Sequence, residues 1–212
     1  MLNYRFRVDL FIAALLLPIA AFAETPMGPS LVIGVPHPIN LAFDSRSAPD
    51  FSWGAALGSF VIPPRNYITA GIGNLDFRAR WHPYSGSFFL GGIFGFQSIF
   101  GKASKTIAVS PELGIPTTID LTVASAYLTP HLGWIWTFSS GFTFGFEAGL
   151  QIPFSARSTL NVNISDPELN SYLSVLKLTP AYIQLQSEIE NGANKIGLLK
   201  FPYSIFRFGW MF

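Results

Sequence analysis

The sequence predicts an all-β fold: a closed antiparallel transmembrane β-barrel of eight strands, with a helical insertion before the last strand. Half of the 212 residues are hydrophobic and only 12% are charged. Beyond residue 23, however, no segment reaches the roughly 20 apolar residues that a spanning helix needs. Apolar and polar residues also alternate with period two in one segment after another, which is the pattern of strands with two unlike faces. A chain too apolar for water and lacking spanning helices has the closed barrel as its common solution. Only helices and closed barrels satisfy every backbone polar group inside lipid.

The N-terminus sets the compartment. Arg5 and Arg7 precede a 14-residue apolar run, Leu10–Ala23, which ends in Ala21-Phe22-Ala23 before Glu24. A basic start, a short apolar stretch and a small-residue site are the parts of a cleavable signal peptide, here residues 1–23. Pro18 interrupts the run, and a membrane anchor would need about 20 residues. The mature domain is then 24–212, with 11 basic and 11 acidic residues. A formal charge of zero gives no case for a nucleic-acid partner. The chain has no cysteine, so disulfides, thiol nucleophiles and thiolate metal sites are excluded.

The strands read as about 30–36, 38–46, 51–61, 68–82, 87–102, 119–138, 141–156 and 200–212. In the seventh, Phe142, Phe144, Phe146, Ala148, Leu150 and Ile152 share one face, and Thr143, Gly145, Glu147, Gly149 and Gln151 the other. In the fourth, Leu75, Phe77, Ala79 and Trp81 alternate with Asp76, Arg78, Arg80 and His82. A membrane barrel turns each apolar set to lipid and each polar set to the lumen. Asn74 is expected to mark a register shift, and Pro130, on an outward face, a bulge. The first two strands are separated by little more than His37-Pro38.

Short connections are expected at 45–50, 83–87 and 138–141, and longer ones at about 62–67, 103–118 and 157–199. The last of these does not alternate. Ser165-Asp166-Pro167-Glu168 opens a helix by capping logic. Thr179-Pro180 opens a second, with Tyr182, Leu185 and Ile189 on one face and Asn191-Gly192 as its stop. All five tryptophans, Trp53, Trp81, Trp134, Trp136 and Trp210, fall near the short turns or the C-terminus. They form an aromatic girdle at one end of the barrel, where an amphipathic ring gains most.

The final strand is the most specific signal. Phe206, Phe208, Trp210 and Phe212 alternate with Ile205, Arg207, Gly209 and Met211. A terminal Phe with aromatic residues at every second position resembles the C-terminal assembly signal of bacterial outer-membrane barrels. By strand pattern the whole mature chain resembles the small eight- to ten-stranded members of that class. The resemblance implies the outer membrane of a Gram-negative bacterium, periplasmic termini, and two partners: outer-membrane lipid and the barrel-assembly machinery that reads the last strand.

Function would sit in the inward polar set. Its charged members are Asp44, Arg46, Asp76, Arg78, Arg80, His131, Glu147 and Arg207, joined by Asn40 and Gln97. An eight-stranded barrel is just wide enough for side chains to fill. Unpaired charges there would cost several kcal/mol each, so Asp44 and Glu147 are expected within salt-bridge reach of some of Arg46, Arg78, Arg80 and Arg207. The alternative is a narrow path lined by Arg78, Arg80 and Arg207 that passes small anions or polar solutes. Outer-membrane lipid A deacylases and palmitoyltransferases resemble the chain in size, but their chemistry needs a Ser–His pair with an acid partner. Ser125 and His131 share a strand face about 20 Å apart at 3.3–3.4 Å per residue. No serine matches His37 or His82 by face and position. No catalytic residue, cofactor or metal site is therefore expected. The leading expectation is a structural or interaction role through the long loops. A small passive pore stands second, and a lipid-modifying enzyme third.

Overall fold

The computed structural model describes residues 25–65, 68–110, 113–164, 173 and 177–212. Its strands are β1 (Met27–Val35), β2 (Ile39–Ala48), β3 (Phe51–Arg65), β4 (Ile68–Trp81), β5 (Phe88–Ser110), β6 (Leu113–Thr137), β7 (Phe142–Ile164) and β8 (Phe201–Trp210), with the helix α1 (Pro180–Gly197) between β7 and β8. Each strand pairs antiparallel with the next. The ring closes between β1 and β8, from Ser30↔Gly209 to Val35↔Ser204.

The polarity is the reverse of a water-soluble protein. Leu41, Leu57, Phe77, Phe96, Leu128 and Phe206 stand exposed on the outside, whereas Asp44, Asp76, Arg78, Arg80, Glu147 and Arg207 are buried within. In water such an arrangement would expose the apolar surface and bury the charges, both unfavourable. In lipid it is the stable choice. The chain is therefore built as a small outer-membrane barrel, the class its last strand resembles.

The wall is uneven. β8, β1 and β2 have 10, 9 and 10 residues, but β5, β6 and β7 have 23, 25 and 23. The segment expected to be a loop at 103–118 is instead paired strand, from Ala103↔Ile119 to Ser110↔Leu113. β7 likewise continues to Ile164, so the insertion begins there and not at 157. Above the lipid belt both faces of a strand meet water, and alternation loses its cause. Those extensions therefore carry no period-two signal.

Two local expectations fail. Asn74 marks no register shift, because it pairs in step with both Gly58 and Gln97 and points inward like Asp76. The bulge is at Phe154, the extra residue between Ala126↔Ser155 and Tyr127↔Pro153, and not at Pro130.

Beyond Gln151↔Phe201, no strand among the described residues pairs with β7 on its β8 side. α1 covers that edge. Glu190 Oε1 accepts from Leu160 N (3.1 Å), and Ser158 Oγ donates to Glu190 O (2.7 Å). Covering an open edge removes a template for unwanted pairing. Thr179 caps the helix, its Oγ1 accepting from Tyr182 N (3.4 Å), and Pro180 follows at the first helical position. The helix does not stop at Asn191-Gly192. It runs to Gly197, because Ala193 and Gly197 lie buried against the wall, Gly197 facing Val123 and Ala156. Tertiary packing there outweighs the low helix propensity of Gly192. The first expected helix, opened at Ser165, lies outside the described residues except for Leu173.

Candidate functional site

The alternation that turns aromatic side chains to lipid brings four charged ones together inside. Arg80 on β4 donates from Nη1 to Asp44 Oδ1 on β2 (2.9 Å) and from Nη2 to Glu147 Oε1 on β7 (3.0 Å). Arg207 on β8 donates from Nε and Nη2 to the same Glu147 oxygen (3.1 and 3.0 Å), and from Nη1 to Asp44 Oδ2 and to Ser30 Oγ. Two arginines and two carboxylates thus close a ring of ion pairs across the lumen. Glu147 is 0% exposed, Arg80 1%, and Asp44 and Arg207 2% each.

Aromatic side chains pack around this bar. The guanidinium of Arg80 lies 5.2 Å from the centre of the Phe89 ring, a cation–π contact. Tyr203 Oη donates to Glu147 Oε2 (3.3 Å). His131 Nε2 stands 3.3 Å from the same oxygen, while its Nδ1 faces Thr129 O at 3.1 Å. Gly91 lies opposite His131, and a Cβ there would come within 2.8 Å of the imidazole. The missing side chain is what lets His131 reach Glu147.

A second cluster lies two to four residues from Arg80 along β4. Tyr127 Oη donates to Asp76 Oδ1, and Arg78 Nη2 is 3.8 Å from Asp76 Oδ2. Among the described residues Arg78 Nε and Nη1 have no hydrogen-bond partner, nor does Thr129 Oγ1 in the same cross-strand row. Above them Gln97 Oε1 accepts from Gln151 Nε2 (2.8 Å) and from His37 Nε2 (3.0 Å). The connection between β1 and β2 therefore tucks inward and places His37 over the lumen.

Of the eight charged residues expected together, the structure gathers seven, in two adjoining groups. Arg46 is apart. It ends the inward row of β2, where the wall gives way to turns, and its Nη2 donates to Pro49 O (2.6 Å) and Ser85 O (3.0 Å). It ties two turns and contributes nothing to the ion-pair ring.

The reading that no serine matches His82 is wrong. Ser52 Oγ and His82 Nε2 are 3.0 Å apart, and His82 Nδ1 is 3.2 Å from Gly86 O. A carbonyl only accepts, so Nδ1 carries the proton and Nε2 accepts from Ser52. His82 lies one residue past β4, so strand parity alone did not place it opposite Ser52. Burial and the nearby Arg46 guanidinium hold its pKa below the ordinary histidine value. Ser125 makes no bond to His131.

All five tryptophans lie on the outside near the turn-rich end, partly exposed. Trp81 pairs with Phe51 and Leu90, Trp134 with Phe88 and Phe146, and Trp210 with Phe142. Phe206, Phe208 and Trp210 share the outer face of β8, and Phe212 lies just past it, where its backbone bonds Met27 in both directions (2.9 and 3.2 Å).

No protein-family model matches the chain, and no curated protein matches it. Among solved structures it is similar to Acinetobacter baumannii CarO2, at 10% identity over 89% of this chain and 100% of that one, with a TM-score of 0.44. It is also similar to Acinetobacter baumannii CarO, at 12% identity over 88% of this chain and 96% of that one, with a TM-score of 0.41. Likeness at this level does not bear on function. The barrel rests on the strand pairing of the chain itself.

Proposed function

We propose that this chain is an exported, non-enzymatic barrel of a Gram-negative outer membrane, closed to ions, which acts on other molecules through the raised β5–β7 wall and α1. The ion-pair ring of Arg80, Arg207, Asp44 and Glu147 is the observation that carries this reading. It links β2, β4, β7 and β8 across the lumen with charge-assisted bonds, the strong kind, and has almost no solvent access. A conducting pore needs a continuous wet path. The apolar outer belt, the terminal aromatic strand and the basic–apolar start of the sequence support the location. Residues 1–24 lie outside the described residues, and the mature N-terminus is proposed as Glu24.

Planar-bilayer recording of the purified mature protein tests closure. A flat baseline is expected, and stepwise conductance at modest voltage would refute it. Outer-membrane fractionation with N-terminal sequencing tests the address. Recovery as a soluble periplasmic protein would sink it.

One observation favours a pore as the second reading. Arg78 and Thr129 present polar atoms to the lumen with no hydrogen-bond partner among the described residues, and a layer of that kind suits a polar solute. Catalysis gains little from Ser52 and His82. Both are buried, and a backbone carbonyl takes the place of the carboxylate that stabilises an imidazolium.

A further inference from the structure

The lipid-facing belt has a dent. In the row Ala79↔Gly92↔Pro130, across β4, β5 and β6, three small or flat residues stand together on the outside. The next row toward the turn-rich end is Trp81↔Leu90↔Leu132, and the next row the other way is Phe77↔Phe94↔Leu128. Large side chains therefore wall a low floor on both sides. The cavity is about 670 Å³, within the range of ligand pockets, roughly 300–1,000 Å³.

Gly92 is the informative residue. Its neighbour Gly91 is glycine because His131 needs the space, whereas a Cβ on Gly92 would meet nothing within 4 Å. No packing within the protein requires glycine there, and glycine weakens a strand interior unless something approaches the backbone closely. The bulge on β7 adds a second, independent feature. The extra residue, Phe154, is turned outward and stacks on Phe94 (centroids 6.2 Å, planes 21° apart), closing the far side of the dent. Bulges commonly serve to re-aim a side chain.

We infer that this dent holds one acyl chain of a phospholipid from the leaflet at the turn-rich end of the barrel, an inference that rests on the membrane placement proposed above. The occupant follows from position. The dent lies on the apolar belt, is continuous with it, and is one row from Trp81, which marks the interface of that leaflet. A chain seated there touches protein beneath and on two sides, where a smooth belt offers one side, so it gains more dispersion contacts than its neighbours in the bilayer.

The test uses the mature protein in vesicles of phosphatidylethanolamine and phosphatidylglycerol, doped with a phosphatidylethanolamine that carries a mid-chain diazirine. After illumination, labelled peptides are mapped by mass spectrometry. Label is expected to concentrate on the segments bearing Phe77, Phe94, Leu128 and Phe154. Gly92→Phe fills the dent without a backbone clash and should erase that local excess. Ala79→Leu should reduce it, and serves should Gly92→Phe not insert. Ser204→Phe, on the outer face of β8, should leave it unchanged. Even labelling around a protease-protected barrel overturns the inference alone, as does an excess that Gly92→Phe leaves intact. Label missing from those segments while the rest of the belt is labelled, and restored there by diluting the protein in lipid, overturns it in favour of a second copy. A protein that takes no label and stays open to protease overturns the membrane placement and this inference with it.

Discussion

Glu147→Gln is the most informative perturbation of the lumen. The native carboxylate accepts three hydrogen bonds on Oε1, one from Arg80 and two from Arg207, and one on Oε2 from Tyr203. The amide keeps the shape and removes the charge. Asp44 is then the only carboxylate in the ring for two buried guanidinium groups, and the amide turns either a donor or a weaker acceptor toward them. Breaking a fully buried ion pair by removing one partner costs about 3–5 kcal/mol, because it strands the other charge. An exposed pair would cost about 1 kcal/mol or less, and the near-zero exposure of these groups selects the larger figure. The assay is equilibrium unfolding in detergent micelles, followed by tryptophan fluorescence. Adding Arg80→Met to Glu147→Gln restores neutrality and should recover a large part of the loss, which excludes a simple packing effect. A loss under about 1 kcal/mol would mean that the charges are solvated and the lumen is wet; a large loss with no recovery in the double variant would mean that packing, and not charge, is what Glu147 contributes.

Two further outcomes follow from particular residues. Deleting Phe212, or changing Trp210 to Asp, should reduce membrane insertion far more than Met211→Ala, scored by heat-modifiable migration; equal insertion of the three would show that the terminal strand carries no assembly information. His82, in the turn after β4, has a pKa held below the ordinary 6.5 by burial and by Arg46, so its contribution to stability is complete above that pH. It is lost as the pH falls from there through the lower folded-state value, since the unfolded chain takes up the proton first; His82→Gln should flatten that part of the stability profile, and an unchanged slope would count against it.

The eight strands were legible because the membrane imposes a simple rule, apolar out and polar in, on every residue it touches. Phe142 to Ile152 and Leu75 to Trp81 obey it without exception. Where the rule lapses, so did the reading. The tops of β5, β6 and β7 stand beyond the belt and looked like loops. α1 runs past Gly192 because its small residues face a wall that is distant in sequence. The inward face of seven of these residues was foreseeable from parity, as was a pairing of Asp44 and Glu147 with some of the four arginines, though not that the partners would be Arg80 and Arg207. Arg46 was not, since parity gives a face and says nothing of depth, and at the rim a long side chain finds turn carbonyls first. Ser52 and His82 escaped for a related reason: their contact depends on how the 82–87 turn folds back, and strand alternation does not encode that.

Filling the lumen with charge calls for an explanation, because well-packed hydrophobic residues in place of a buried ion pair are often neutral or stabilising by about 1–4 kcal/mol. A role in fixing register would explain it. A slip of one residue exchanges the two faces of a strand. Were the lumen as apolar as the belt, a slipped barrel would differ little from the native one. With the ring in place, a slip of β4 would send Arg78 and Arg80 into lipid, and a slip of β8 would send Arg207. An arginine on the lipid face costs roughly 2–4 kcal/mol at the bilayer midplane and about 0–1 kcal/mol near the interface that Trp81 and Trp134 mark, and the slip also forfeits the pairing of the ring itself. Replacing Asp44, Arg80, Glu147 and Arg207 by Leu, Met, Leu and Met should therefore leave the correctly formed barrel as stable as before, or more so. Its refolding into vesicles should nevertheless yield a mixture. Cysteines placed opposite one another at Ala148 and Ser204, which are paired in the native register, report the fraction that is correct through disulfide formation. Native protein should crosslink nearly completely and the variant without the ring only in part. Complete crosslinking in both would show that the outer belt and the turns set the register without help from the buried charges.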